Sequence, residues 1–247
     1  MNKTVTIPFA KNFPAYFAFP DDHLKYPGLI LIHEVWGLND HIKDVTDRFV
    51  KEGFIVLAPD LLSETGITEE IDQKILEEVR NPATRDEAQK KLRAAMAPIL
   101  SPEFAKTTVD KLKACVDYLL ENEKGNTKIT VVGFCFGGTY SYALAAEDTR
   151  IKAAVPFYGH APEPLDKIKN ISCPILAFYG EQDKGLVDSL PELEKQMNAY
   201  GKDFTYHVYL HTGHAFFNDT NQTTYNNEAA QDAWKKALDY LYQHVRE

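Results

Sequence analysis

Residues 129–138 read Ile129-Thr130-Val131-Val132-Gly133-Phe134-Cys135-Phe136-Gly137-Gly138, and Thr139-Tyr140-Ser141-Tyr142-Ala143-Leu144-Ala145-Ala146 follows without a break. An apolar run passes through Gly-x-Cys-x-Gly-Gly into a helical pattern. This is the strand–turn–helix layout of a nucleophile elbow, with cysteine at the reactive position. Such a turn crowds the backbone around the nucleophile, so Gly133 and Gly137 stand where a Cβ would clash. The helix that starts there aims its first N–H groups and positive dipole end at the sulfur, favouring a thiolate and later an oxyanion. Taken alone, the motif reads equally as a buried structural cysteine beside a glycine-bearing turn, since free cysteines are often buried. The rest of the chain decides between the two.

Outward from the elbow, apolar runs alternate with helical patterns. Gly28–Ile32, Phe54–Ala58, Ile151–Tyr158, Ile175–Tyr179 and Phe204–Leu210 read as strands. Asp40–Glu52 reads as a helix, its apolar residues Ile42, Val45, Phe49 and Val50 recurring at three or four positions, and Val109–Leu120 and Asp232–Val245 read likewise. The alternation predicts an α/β fold with a mostly parallel twisted sheet and helices on both faces, as one domain over residues 1–247. Ser63–Pro102 breaks the pattern. It is polar and charged, with helical stretches at Glu69–Arg80 and Arg85–Met96, and is expected to be a helical excursion near the active site.

Composition narrows the classes of function. The 247 residues are 44% hydrophobic and 26% charged, as in an ordinary globular protein. A net charge of −9 argues against nucleic acid as a partner. No stretch approaches the roughly 18 consecutive apolar residues of a membrane span. The start, Met1-Asn2-Lys3-Thr4-Val5, lacks the apolar core of a signal peptide, so a cytoplasmic location is expected. Three widely spaced cysteines (Cys115, Cys135, Cys173) with no Cys-x-x-Cys fit neither a disulfide framework nor a structural zinc site.

A cysteine nucleophile needs a base within hydrogen-bond reach and a third group to orient that base. In a parallel sheet such groups sit on loops past the carboxyl ends of strands. Asp183 lies in Gly180-Glu181-Gln182-Asp183, just past one strand, and His214 lies in His211-Thr212-Gly213-His214, just past the next. Alone, Asp183 reads as a turn cap and His214 as a surface histidine. Together, in the chain order nucleophile, acid, histidine, they read as the triad of an α/β-hydrolase. His211 is the competing base. The loop His33-Glu34-Val35-Trp36-Gly37 follows an early strand, making the N–H groups of Val35 and Phe136 the candidate oxyanion hole. Glu34, beside that hole, reads either as a solvated loop carboxylate or as a charge with a role.

At these residues the chain resembles the dienelactone hydrolase family. The matching stretches are His33-Glu34-Val35-Trp36-Gly37-Leu38-Asn39, Ala58-Pro59-Asp60-Leu61, Gly133-Phe134-Cys135-Phe136-Gly137-Gly138, Gly180-Glu181-Gln182-Asp183 and Gly213-His214-Ala215-Phe216-Phe217. The resemblance implies Cys135 as nucleophile, His214 as base, Asp183 as its orienter, and Glu34 as partner of the resting cysteine in generating the thiolate. Dienelactone hydrolase proper holds a substrate carboxylate with arginines, one of them four residues beyond the catalytic histidine, where this chain has Asn218. The family's other arginine lies in the segment that here carries Arg80, Arg85 and Arg93. Trp36, Phe134, Phe136, Tyr158, Phe216 and Phe217 make an aromatic-rich surround. Trp36, Tyr158, Phe216 and Asn218 are taken as substrate-binding.

The expected activity is opening of a lactone or cleavage of a small carboxylic ester through a cysteine acyl-enzyme, with no metal or organic cofactor. A general ester or thioester hydrolase is the alternative within enzymes. A non-catalytic hydrolase-fold protein that binds a ligand or senses oxidants through Cys135 is the alternative outside them. The expected partner is a small-molecule ester or lactone, and the expected state a monomer or weak homodimer.

Overall fold

A computed structural model describes residues 1–67, 78 and 84–245. Eight strands form one sheet: β1 (Asn2–Ile7), β2 (Phe13–Ala18), β3 (Tyr26–Ile32), β4 (Ile55–Pro59), β5 (Gly125–Phe134), β6 (Ile151–Phe157), β7 (Ile175–Gly180) and β8 (Phe204–Tyr209). Their spatial order is β1-β2-β4-β3-β5-β6-β7-β8, parallel from β4 through β8 and antiparallel at β1–β2–β4. The sheet is that of the α/β-hydrolase fold. Sequence reading starts the sheet at Gly28 and misses β1 and β2. Only every second residue of β1 and β2 had a reason to be apolar, and Pro14 sits inside β2.

The central strands read as continuous apolar runs because both their faces are covered. Leu29–Ile32 and Ile55–Ala58 are fully buried. The helices are α1 (Asp40–Lys51), α2 (Arg85–Met96), α3 (Pro102–Glu121), α4 (Phe136–Glu147), α5 (Lys184–Val187), α6 (Leu190–Ala199) and α7 (Asn227–Val245). Helix α1 starts at Asn39, whose side chain accepts from the Ile42 N–H at 3.1 Å. Helix α3 begins seven residues before the sequence pattern suggests, because Ser101 caps it through the Phe104 N–H and Pro102 supplies the first helical φ. In the Ser63–Pro102 segment, α2 matches the expected Arg85–Met96 helix, while the expected Glu69–Arg80 stretch lies outside the described residues apart from Glu78. Among the described residues no helix is long and apolar enough to cross a membrane.

Candidate active site

Strand β5 delivers Cys135 to the carboxyl edge of the sheet, and α4 leaves from it immediately. The turn is tight enough that Cys135 takes φ 56° and ψ −111°, a conformation an L-residue adopts only when its surroundings impose it. Those surroundings are glycines. A Cβ on Gly133 would lie 2.0 Å from the Gly137 carbonyl oxygen, and one on Gly137 would lie 2.1 Å from the Ile32 carbonyl oxygen. The Cys135 N–H donates to the Phe157 carbonyl at 3.0 Å, which locks the elbow to β6. Cys135 itself is only half-buried. Cys115 and Cys173 are buried, and burial pushes both thiols up, Cys173 to about 12. Neither is poised to react at neutral pH.

Two loops past β7 and β8 meet at the sulfur. Asp183 heads the short helix α5, yet its side chain does not cap that helix. It accepts instead from Nδ1–H of His214 at 2.5 Å. With Nδ1 engaged, the other ring nitrogen is left free for Cys135, whose side chain lies near enough to raise the imidazole's pKa. Burial disfavours the imidazolium, but hydrogen bonds and charge from Asp183 and Cys135 outweigh it and raise His214 to about 10. The His214 side chain keeps one edge open to solvent, being 43% exposed. His211, the competing base, is 89% exposed, with its ring 3.9 Å from Glu181.

Glu34 is buried at 1% exposure, so the solvated-loop reading is excluded. One carboxylate oxygen accepts from the Asn218 amide at 2.7 Å and the other from the Tyr158 hydroxyl at 3.4 Å. Burial raises its pKa, opposed by Asn218, the charge of His214, and Tyr158. The carboxylate therefore rests on Asn218 and Tyr158. Asn218 is itself buried and doubly anchored, its carbonyl oxygen accepting from the N–H (3.1 Å) and hydroxyl (2.7 Å) of Thr220.

The aromatic residues divide. Tyr158, at φ 38°, lays its ring 4.9 Å from that of His214, and burial, followed by the neighbouring Glu34, pushes its hydroxyl well above the usual range. Trp36 is half-buried, in the loop that follows β3. Phe216 is fully buried against Phe157, Tyr158 and Tyr209, so the structure places it behind the pocket, in the core. Phe134 and Phe217 stack on one another there at 5.0 Å. The reason is local: the positive φ of Ala215 (61°) turns the chain inward just after His214. Arg80 lies outside the described residues, and Arg85 and Arg93 are carried by α2.

Val35 lies in a turn closed by the Gly37 N–H on the Glu34 carbonyl at 3.2 Å, and Phe136 is the first residue of α4. Neither of their N–H groups has a hydrogen-bond acceptor among the described residues, as suits donors held for a ligand oxygen. Sequence reading left His33 without a role. It is fully buried, with one ring nitrogen on the Glu34 carbonyl at 2.6 Å and the other on the Leu61 N–H at 3.1 Å. Among the described residues no three His, Cys, Asp or Glu side chains are grouped to hold a metal ion.

With the fold and geometry in hand, comparison with known proteins places the chain. The profile of the dienelactone hydrolase family matches residues 13–245. A Saccharolobus solfataricus protein provisionally named carboxymethylenebutenolidase is 36% identical over 245 residues, covering 92% of each chain. One from Methylorubrum extorquens with the same provisional name is 30% identical over 243 residues, covering 94% of this chain and 77% of that one. The crystal structure of a provisionally named dienelactone hydrolase from Klebsiella pneumoniae aligns with a TM-score of 0.81 at 25% identity over 98% of each chain. The chain belongs to the dienelactone hydrolase family of carboxylic ester hydrolases.

Proposed function

We propose that this protein hydrolyses small lactones or carboxylic esters through a Cys135 thioester, with His214 as proton carrier and Asp183 as its orienter. The observation that carries the reading is His214, held by Asp183 at 2.5 Å and with its pKa raised by both Asp183 and Cys135. A histidine raised to about 10 stays protonated at neutral pH and so holds a proton it can pass to the leaving oxygen.

In this reading the Cys135 thiolate adds to the carbonyl carbon, and the carbonyl π electrons move to oxygen. The resulting oxyanion accepts hydrogen bonds from the Val35 and Phe136 N–H groups, each such donor being worth about 3 kcal/mol. Collapse re-forms the carbonyl and breaks the C–O bond. The departing alkoxide or enolate takes the proton from His214, leaving a thioester and a neutral imidazole. His214 then takes a proton from water as the hydroxide adds to the thioester. The second oxyanion collapses to a carboxylic acid and expels the thiolate, and His214 keeps its proton. In a lactone the leaving oxygen stays tethered to the acyl group, so ring opening yields one product.

Asn218 supports a substrate class without a required free carboxylate, because its amide is held by Glu34. Turnover of short-chain p-nitrophenyl esters and a lactone panel by wild type and Cys135→Ala tests the proposal. Loss of activity in the variant is expected. Undiminished turnover in Cys135→Ala would rule out the thioester route, and no turnover in the wild type would return the protein to the non-catalytic, ligand-binding or redox-sensing alternative.

A further inference from the structure

We propose that His33 is the positioning residue of the oxyanion hole, fixing the Glu34–Val35 peptide so that the Val35 N–H faces the Cys135 site. This rests on Cys135 as nucleophile and adds a residue that the triad and Glu34 leave out.

A trans peptide holds its C=O and N–H on opposite sides of one plane, so fixing the carbonyl of residue 34 fixes the N–H of residue 35. Two donors fix that carbonyl: Nδ1–H of His33 at 2.6 Å and the Gly37 N–H at 3.2 Å. Flipping the peptide would forfeit both hydrogen bonds and turn an oxygen into the hole where a donor is needed. The tautomer is set from the far side, since Leu61 N–H donates to Nε2 at 3.1 Å and so leaves the proton on Nδ1. Leu61 sits in the loop after β4, where the Asp60 carboxylate accepts from the N–H groups of Leu62 (3.3 Å) and Ser63 (3.0 Å). The imidazole is thus anchored by backbone from the loop that follows the neighbouring strand β4.

His33 also reaches the second donor. Its ring stacks on Phe136 with centroids 5.7 Å apart and planes 6° apart. Its own carbonyl accepts from the Gly137 N–H at 3.1 Å, one residue beyond the Phe136 N–H. One residue therefore ties together the two backbone groups that must converge on an oxygen. Proton transfer by His33 is excluded by its surroundings: it is fully buried, both ring nitrogens are engaged, and burial pushes its pKa down.

The test uses an isosteric pair. Asn at position 33 can place an amide N–H where Nδ1–H stands, and Leu has the same shape with no donor. His33→Leu is expected to lower kcat for ester hydrolysis about a hundredfold, the usual effect of losing one oxyanion donor, with KM changed less than about threefold. His33→Asn should recover at least about tenfold of that loss, since a donor is again present. Alkylation of Cys135 by iodoacetamide displaces iodide at a saturated carbon and builds no oxyanion, so its rate should stay within about twofold of wild type in both variants. Equal kcat in the Asn and Leu variants would overturn the assignment, as would a parallel fall in kcat and alkylation, which reports a collapsed elbow. Should His33→Leu not fold, the same comparison runs between His33→Asn and His33→Ala. Loss or retention of turnover in Cys135→Ala judges the nucleophile separately.

Discussion

Asn218 donates its side-chain amide to the Glu34 carboxylate at 2.7 Å, with both side chains buried. The position where the family resemblance implies a contact to a substrate carboxylate is, in this chain, turned to a carboxylate of the protein. A neutral amide there leaves Glu34 without a full cationic partner, and burial accordingly raises its pKa.

The first consequence is for substrate charge. An arginine–carboxylate pair is bidentate and charged, and Asn218 cannot supply that charge. The ratio of kcat/KM for a carboxylate-bearing lactone to that for its methyl ester is expected to stay within roughly tenfold of unity, below what a charged hydrogen bond of ~1.5–3 kcal/mol gives. A preference of several hundredfold for the acid would contradict this. Its loss in Arg80→Ala, Arg85→Ala or Arg93→Ala would then identify the residue responsible.

The second concerns stability and pH. A glutamate whose pKa is raised on folding stabilises the fold fully below its unfolded value near 4.5, and that contribution is lost as pH rises through the folded value. Glu34→Gln stays neutral at every pH. It should match wild type near pH 4 and melt at a higher temperature than wild type at pH 8, by a margin that grows with pH. Thermal melts across that range check the sign; a gain that shrinks with pH is the contrary result.

Much of this site is legible in the sequence, and the limits have physical causes. Cys135, Asp183 and His214 each follow an apolar run, so periodicity alone places them at one edge of a parallel sheet, and there they meet. Phe216 and Asn218 also follow the histidine closely, but the positive φ of Ala215 sends them inward, and no local pattern announces that turn. His33 looks like any histidine before a loop. Its role depends on a carbonyl one residue away and on Leu61, 28 positions distant. The edge strands β1 and β2 escape because one-sided burial leaves half their residues polar or exposed.

The third prediction concerns His214. Its raised value near 10 depends on Asp183 and Cys135, so kcat/KM should hold level from neutral pH upward and fall near pH 10 as the imidazolium is lost. Asp183→Asn removes the charge and puts a neutral amide where the carboxylate accepts at 2.5 Å. It should lower kcat/KM about a hundredfold or more and move the basic limb to lower pH. A pH–rate profile of both proteins reads this directly, and an unmoved limb is incompatible with the assignment.

The fourth concerns the elbow itself. Gly137→Ala would put a methyl group 2.1 Å from the backbone carbonyl oxygen of Ile32, which the sheet holds in place. A loss of more than about 3 kcal/mol in denaturant unfolding is expected. Gly185, inside α5, faces open space, with no atom within 4 Å of where a Cβ would stand, so Gly185→Ala should be neutral or stabilise by ~0.4–1 kcal/mol.

The central claim is that Cys135 carries the acyl group. Reaction with excess p-nitrophenyl ester, acid quench within the first turnovers and peptide mass analysis tests it most directly. The account predicts an acyl mass increment on the peptide containing Cys135, a stoichiometric burst of p-nitrophenol when deacylation is slow, and neither in Cys135→Ala. An acyl group on any other residue, or hydrolysis at the wild-type rate by Cys135→Ala, would contradict it.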